Sequence, residues 1–265
     1  MAIVWGQWWA KDNLAPLVSQ ELTKSLKRPV SLGRIDSLWL NEVHFKDANI
    51  PANGSDLNSV AVPEAIVSFN PIQLLFDRTL KLDVRLISPS IYLAQNVGGS
   101  WVNIPAPEKQ APPPVKIQVG TIAVNNATVV IVPYSQISQP IAVSKINLEA
   151  NVNDLQDRVK FDGFAQVGSS GQINVRGESA IANGETQLVV KGQKLDAVAA
   201  TRIVKIPEVT ITRGTVTGDL KLAVLPGKYL RINSSLLVND GKLVINNVPR
   251  SLDKINGFID RKSVV

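Results

Sequence analysis

Apolar and polar residues alternate along most of the second half of the chain. The pattern is clearest at residues 216–224 and 230–238, where apolar or glycine residues take most of the even positions, and it recurs at 146–152 and 171–178. A period of two is typical of antiparallel strands that bury one face. An apolar side chain left in water forgoes about 1.5–3 kcal/mol. A face with so many apolar positions must therefore be covered by another sheet, by a curl of the same sheet or by a ligand.

The composition argues against several functional classes. The 265 residues include no Cys and a single His, His44, so disulfides, thiol nucleophiles and a paired-histidine metal site are excluded. No run of eighteen apolar residues is long enough to span a bilayer. The net charge of +6 is spread singly over polar strand positions, which argues against nucleic acid as a partner. No triad, paired-carboxylate or phosphate-loop motif is present, so we predict no enzyme, no cofactor and no metal.

The N-terminal segment joins three tryptophans to an amphipathic stretch. Trp5, Trp8 and Trp9 are interpreted as membrane-interface residues, with folding back onto the core as the alternative. Residues 13–27 place apolar side chains on one helical stripe, and Pro29 follows directly. This pattern predicts an amphipathic helix that docks onto the first strands in preference to lying on a membrane.

A proline-rich stretch divides the sequence. Residues 105–114 contain five prolines in ten positions, which excludes a central strand and favours an extended, solvated linker. We therefore predict a first region, residues 1–104, with the N-terminal helix and the start of the sheet, and a second region, residues 115–265, that continues it. Short helical segments are expected at residues 71–76 and 195–203. The sequence has the character of a segment cut from a longer protein.

Several short segments follow one another in the order found in a known family. They are the Trp-rich segment and helix ending in KRPVSLGRI (27–35), then PSIYLAQN and GSWVN (89–103), LDAV through IP (195–207), and GTVTGDL (214–220). Together they resemble the N-terminal region of TamB/AsmA-like proteins, the bridge-like lipid transfer proteins, in particular the cyanobacterial and chloroplast-envelope type.

The resemblance implies a large protein that bridges two membranes and is anchored in the inner one, in the periplasm or the plastid intermembrane space. Such proteins are long, taco-shaped β-grooves that are thought to conduct phospholipids, and some are linked to protein import through an Omp85-type partner. This chain would be the membrane-proximal segment. Its anchor and the C-terminal region that meets the Omp85-type partner would lie outside the sequence. The alternative function is a structural scaffold for outer-membrane or plastid protein translocation, whose β-groove closes as a dry sandwich.

The expected fold class is mainly β. It is a curved antiparallel sheet forming a U-shaped hydrophobic groove, with the N-terminal amphipathic helix and one or two short helices. Phospholipid acyl chains would enter by apolar burial alone, at about 0.8 kcal/mol per methylene. Strand alternation places Lys221 and Arg231 outside, towards solvent. The predicted groove-lining residues are Val115, Ile117, Val119, Ile122, Val124, Ile146, Leu148, Ile173, Val175, Leu188, Val190, Val216, Leu220, Leu222, Val224, Leu230, Ile232 and Leu236.

Overall fold

Strands account for about four fifths of the described residues, and the prediction of a mainly β protein is confirmed. The structure is a computed structural model. The chain divides into two compact units, residues 1–134 (unit 1) and residues 135–265 (unit 2). This division falls later in the chain than the proline-rich stretch 105–114, which lies outside the described residues. The described residues are 19, 23, 28–39, 41–52, 57–70, 76, 79–95, 116–133, 140–153, 158–180, 182–199, 209–225, 229–245 and 251–264.

Unit 1 contains a mixed sheet. Its strands lie in the order β1-β2-β3-β4-β6, and β5 pairs with both β3 and β6. The pairs β4–β6 and β5–β6 are parallel, so the prediction of an antiparallel sheet is wrong for them, whereas the other pairs described in this unit are antiparallel. Parallel strands need a crossover of a dozen residues or more, and residues 88–115 provide it between β4 and β6. The strands are β1 (Ile35–Leu38), β2 (Glu42–Ile50), β3 (Ser59–Phe69), β4 (Thr79–Ile87), β5 (Ser90–Ala94) and β6 (Lys116–Val132).

The hydrophobic core of unit 1 lies on β1, β2 and β3. Phe45 is only 5% exposed and pairs with Ile35 on one side and Ala65 on the other. Since directly paired residues of adjacent strands share a face of the sheet, these side chains pack together. The buried members of this core are Ile35, Val43, Phe45, Ala48, Val62 and Ala65.

Only Ser19 and Thr23 of the predicted N-terminal helix are among the described residues, and both have helical backbone. The hydroxyl of Ser19 accepts a hydrogen bond from the backbone N–H of Leu32 at 2.8 Å, and that of Thr23 from Val30 at 2.9 Å. These bonds tie the two positions to the segment that precedes β1. The rest of the helix prediction lies outside the described residues.

Unit 2 is an antiparallel meander in which each strand pairs with the next one in the chain. The antiparallel prediction is therefore confirmed in this unit, and its strands contain the four stretches of alternating residues. The strands are β7 (Ile141–Asn153), β8 (Arg158–Val167), β9 (Gly171–Ala180), β10 (Thr186–Asp196), β11 (Val209–Leu225), β12 (Tyr229–Ile245) and β13 (Leu252–Val264).

The short helix predicted at residues 195–203 begins later than expected. Leu195 and Asp196 are the last residues of β10, and residues 197–199 are helical. The Asp196 carboxylate accepts the backbone N–H groups of Val198 at 2.8 Å and Ala199 at 3.3 Å. Asp196 therefore caps the helix start, because its side chain satisfies N–H groups that lack an intrahelical partner. Residues 200–208 lie outside the described residues.

Candidate functional site

The register of unit 2 brings its alternating apolar residues onto one face. Leu222 pairs with Leu188, Leu188 with Gly177, and Gly177 with Phe161, which makes one row across four strands. The next row joins Leu220, Val190, Val175 and Gly163 in the same way. Hereafter "the apolar face" means this set: Leu148, Phe161, Gly163, Ala165, Ile173, Val175, Gly177, Leu188, Val190, Gly192, Leu195, Val216, Gly218, Leu220, Leu222, Val224, Leu236 and Val238.

The opposite face of unit 2 is mostly polar from β8 to β11. Arg176 pairs with Asp162 in register, and their side chains approach to 3.5 Å. Arg158 forms a close ion pair with Glu178 on the same side of the sheet. The exposed Lys221 and Arg231 follow on β11 and β12, as the alternation predicted. From β8 to β11 the sheet of unit 2 therefore has one charged face and one largely aliphatic face, whereas β12 and β13 also expose Leu237 and Phe258, at 43% and 66%, on the charged side.

A β-bulge keeps the apolar face intact at the end of β10. Gly192 pairs with Gly218, but the next pair on this face joins Leu195 to Val216, so β10 contains one residue more than β11. The extra residue accompanies the left-handed backbone of Lys194, whose φ is 48° and whose N–H donates to Thr217 Oγ1 at 3.1 Å. A bulge shifts the phase of alternation, which brings Leu195 onto the apolar face. Leu195 is absent from the predicted groove-lining residues because the sequence pattern placed it in the short helix expected at residues 195–203.

Large side chains of the apolar face lie across glycines of neighbouring strands. The ring of Phe161 occupies the place where a side chain on Gly177 would begin, at 2.5 Å from an ideal Cβ. Leu148 does the same over Gly163, at 2.8 Å. Side chains that lie flat over glycine cover the backbone while adding little height to the face. Glycine at such positions also permits the sheet to bend.

Burial along the apolar face is uneven. Val216 and Val238 are 8% and 5% exposed and cluster with the fully buried Ala197. By contrast, Leu220 and Leu222 are only partly buried, although they belong to the same strand as Val216. The interior of a closed sandwich is packed to crystal-like density on both sides. The described residues thus cover one end of the apolar face completely and the remainder incompletely.

Four predicted lining residues lie in unit 1 on β6, and the structure describes the burial of three of them. Val119, Ile122 and Val124 pair in parallel register with apolar residues of β4, and all three are partly buried. The spacing from 119 to 122 breaks the period of two because the register shifts between them. The Asp83 carboxylate accepts the backbone N–H of Thr121 at 2.8 Å at this point.

The remaining predicted site residues are placed less completely. Ile146 lies on β7 two positions from Leu148 and is partly buried. The backbone register sets Ile117 opposite Leu80, Leu230 opposite Val224 and Ile232 opposite Leu222. The other four predicted residues lie outside the described residues: Val115, Trp5, Trp8 and Trp9.

The one histidine joins a carboxylate network on the polar side of β2 and β3. His44 contacts Glu42 closely and Glu64 at 3.1 Å, and Lys46 Nζ lies 3.0 Å from Glu64. Hydrogen bonding to Glu42, and then to Glu64, raises the pKa of His44. The hydrogen bond from His44 lowers the pKa of Glu42, while Lys46 and then His44 lower that of Glu64. The part of the chain that the structure describes contains no cluster of His, Cys, Asp or Glu residues able to hold a metal ion.

These observations define a class: a mainly β protein with one aliphatic and one charged sheet face. The chain is 26% identical over 104 residues to the rice (Oryza sativa subsp. japonica) protein named SUBSTANDARD STARCH GRAIN 4, chloroplastic. The match covers 39% of this chain and 5% of the rice protein, so this chain spans a small part of that relative. No protein-family model and no solved structure matches significantly. Within the described ranges, no helix has the length and apolar character required to cross a membrane.

Proposed function

We propose that this chain is one segment of a lipid conduit of the TamB/AsmA-like type. Phospholipid acyl chains lie on the apolar face, and the charged face points to water. The observation that carries the proposal is the incomplete burial of an aliphatic surface that spans several paired strands, including Leu188, Leu220 and Leu222. A surface of this kind in water is costly unless something apolar covers it.

The chemistry of the apolar face suits a mobile lipid. Its members are aliphatic residues and glycines apart from Phe161, and the polar residues that share its rows, Ser179, Thr186 and Ser234, are uncharged. Each methylene of an acyl chain gains about 0.8 kcal/mol by leaving water. Apolar contacts have no preferred direction, so a chain can slide along the face without breaking oriented bonds.

The rice relative supports the setting of the proposal. Its name places that protein in the chloroplast, and it is many times longer than the matched segment. We accordingly propose that this chain is part of a long protein of the plastid or periplasmic envelope. Attachment to the inner membrane and contact with an Omp85-type partner would involve regions outside this sequence. A scaffold for protein translocation is the alternative function.

Site-specific photocrosslinking tests the proposal. Benzoyl-phenylalanine is placed at Leu222, on the apolar face, and at Ala223, the next residue of the same strand, whose partners Gln187 and Arg231 are polar. After irradiation in cells, mass spectrometry of the purified chain should find phospholipid attached at position 222 and little at position 223.

Matched charge substitutions give a second measurement. Leu222→Asp should lose the phospholipid that co-purifies with the wild-type chain, whereas Ala223→Asp should retain it, and both should keep the far-UV circular dichroism of a folded sheet. A wild-type chain without bound lipid, together with unfolding by Leu222→Asp, would favour the scaffold with a dry core, because a charge buried there is severely destabilising.

A further inference from the structure

The apolar face contains a shallow region of small residues next to its aliphatic rows. Gly192 pairs with Gly218 on β11 and with Ile173 on β9, and Ile173 pairs with Ala165 on β8. Three of these four residues have no side chain beyond a methyl group. Without a cover, this row would extend the aliphatic surface formed by Val190 and Leu220 and their neighbours.

Leu195 fills this shallow region. One of its methyl carbons, Cδ1, lies 2.5 Å from an ideal Cβ position on Gly192, and the other, Cδ2, lies 3.2 Å from that on Gly171. A side chain on Gly192 would collide with Leu195, and one on Gly171 would crowd it. The bulge at Lys194 is what brings Leu195 to this place, since it shifts the alternation by one residue.

The surface beyond Leu195 is closed. Ala197 has no exposed surface, and it clusters with Ile211, Val216 and Val238, all less than 9% exposed. The capping bonds of Asp196 to the N–H groups of Val198 and Ala199 hold this turn of chain in place. Leu195 therefore stands at the boundary between the covered and the incompletely covered parts of the apolar face.

The uncovered part is long enough to hold a lipid tail. From Thr186, at the start of β10, to Gly192 the strand advances six residues, or about 20 Å at about 3.3 Å per residue. The hydrocarbon core of a bilayer is about 30 Å thick, so one leaflet occupies about 15 Å. At the Thr186 end, the hydroxyls of Thr186 and Ser179 lie 2.9 Å apart and offer polar contacts to the ester region of a lipid.

We propose that Leu195 is a specificity-determining residue that limits the length of the acyl chain on the apolar face. The inference rests on the proposed lipid function. The tail lies along the strands and ends against Leu195, and the ester groups lie towards Ser179 and Thr186. Shortening Leu195 opens the region over Gly171 and Gly192 to further methylenes, each of which strengthens binding about fourfold.

Competition between phospholipids of different tail length tests the proposal. The purified chain is incubated with vesicles that contain equal amounts of dimyristoyl-, dipalmitoyl-, distearoyl- and diarachidoyl-phosphatidylcholine, and the bound lipids are quantified by mass spectrometry. Since the tails of these two lipids differ by two methylenes, Leu195→Ala should raise the ratio of bound distearoyl to bound dipalmitoyl lipid by roughly fifteenfold. Leu188→Ala removes the same atoms from the same strand, within the incompletely covered part of the apolar face. It should lower the bound amount of all four lipids without changing their ratios. An unchanged ratio in a Leu195→Ala chain that still binds lipid overturns the proposal.

Thiol labelling separates this inference from the proposed function. The chain has no cysteine, so Val216→Cys and Leu222→Cys each introduce a single thiol. A water-soluble maleimide should label position 222 quickly and position 216 at least tenfold more slowly, and adding Leu195→Ala should accelerate only position 216. Equal labelling of both positions in the parent chain overturns the closure by Leu195. If no lipid binds any variant, the proposed function and the length limit both fail, and the labelling still decides whether Leu195 closes the face.

Discussion

Gly218 is the position where the sheet of unit 2 tolerates a side chain least. A Cβ there would overlap the carbonyl oxygen of Ser235 and approach the Cα of Leu236 to 2.9 Å. Both are backbone atoms of the paired strand β12, so no rotamer change relieves the overlap. Gly218→Ala therefore forces β11 and β12 apart where they are hydrogen-bonded.

Gly257 provides a matched control. It lies on β13 and pairs with Val238 of β12, a member of the apolar face. The nearest atom to its ideal Cβ is a methyl carbon of Ile255 at 3.9 Å. This is ordinary van der Waals contact. The same substitution thus adds one methyl group to a strand in both cases, with a backbone collision in only one of them.

The two variants should shift stability in opposite directions. Overpacking a filled site costs about 1–3 kcal/mol, and a backbone obstacle places Gly218→Ala at the upper end. Replacing a strand glycine by alanine without strain gains about 0.5–1 kcal/mol. We expect Gly218→Ala to lower the free energy of unfolding by about 2 kcal/mol and Gly257→Ala to raise it by about 0.5 kcal/mol.

Urea unfolding followed by far-UV circular dichroism measures the difference. In a unit of this size, 1 kcal/mol corresponds to roughly 3–6 °C in the melting midpoint, so thermal scans should separate the variants clearly. If the free energies of unfolding of Gly218→Ala and Gly257→Ala agree within about 0.5 kcal/mol, β11 and β12 do not approach each other closely at Gly218.

Two further predictions concern unit 1. Because the pKa of His44 is raised in the folded state, its contribution to stability is complete below about pH 6.5 and is lost as pH rises through the raised value. The pKa values of Glu42 and Glu64 are lowered, so their contributions to stability are lost as pH falls through the lowered values. His44→Gln should abolish the loss on the alkaline side in urea titrations across pH, and an unchanged profile would show that the network does not stabilise the fold. Asn58→Ala should cost about 1–2 kcal/mol, because the buried Asn58 side chain accepts the N–H of Ala94 at 2.7 Å; a cost below about 0.3 kcal/mol would mean that water replaces this bond.

Alternation of apolar residues was sufficient to predict the strands of unit 2 and the face on which Val175, Leu188, Leu220 and Leu222 lie. The reason is physical: with a period of two, a slip by one residue would bury lysine and arginine, so the pattern itself specifies the side of each residue. The mainly β class follows from the same local signal, whereas the helix predicted at residues 195–203 begins only after Asp196.

Other features depend on contacts that a local pattern does not contain. The bulge that moves Leu195 onto the apolar face has Lys194, and no glycine, in the left-handed conformation, so nothing in the composition marks it. The parallel pairing of β4 with β6 joins strands that are far apart in the chain, and their apolar patterns would fit an antiparallel partner equally well. Partner choice among similar strands is decided by the whole sheet.

The connection between β4 and β6 has a consequence for how the two units reach their folds. Unit 2 pairs each strand with the next, so every hairpin can form from neighbouring residues as the chain leaves the ribosome. Unit 1 must close the long segment 88–115 before its parallel ladder gains any hydrogen bond, and that closure costs entropy in advance. Since folding slows as contacting residues become more distant in sequence, unit 1 should fold more slowly than unit 2 and expose the edge of β4 meanwhile. Chaperones that shield unpaired strands are thus expected to act on the first half of this chain.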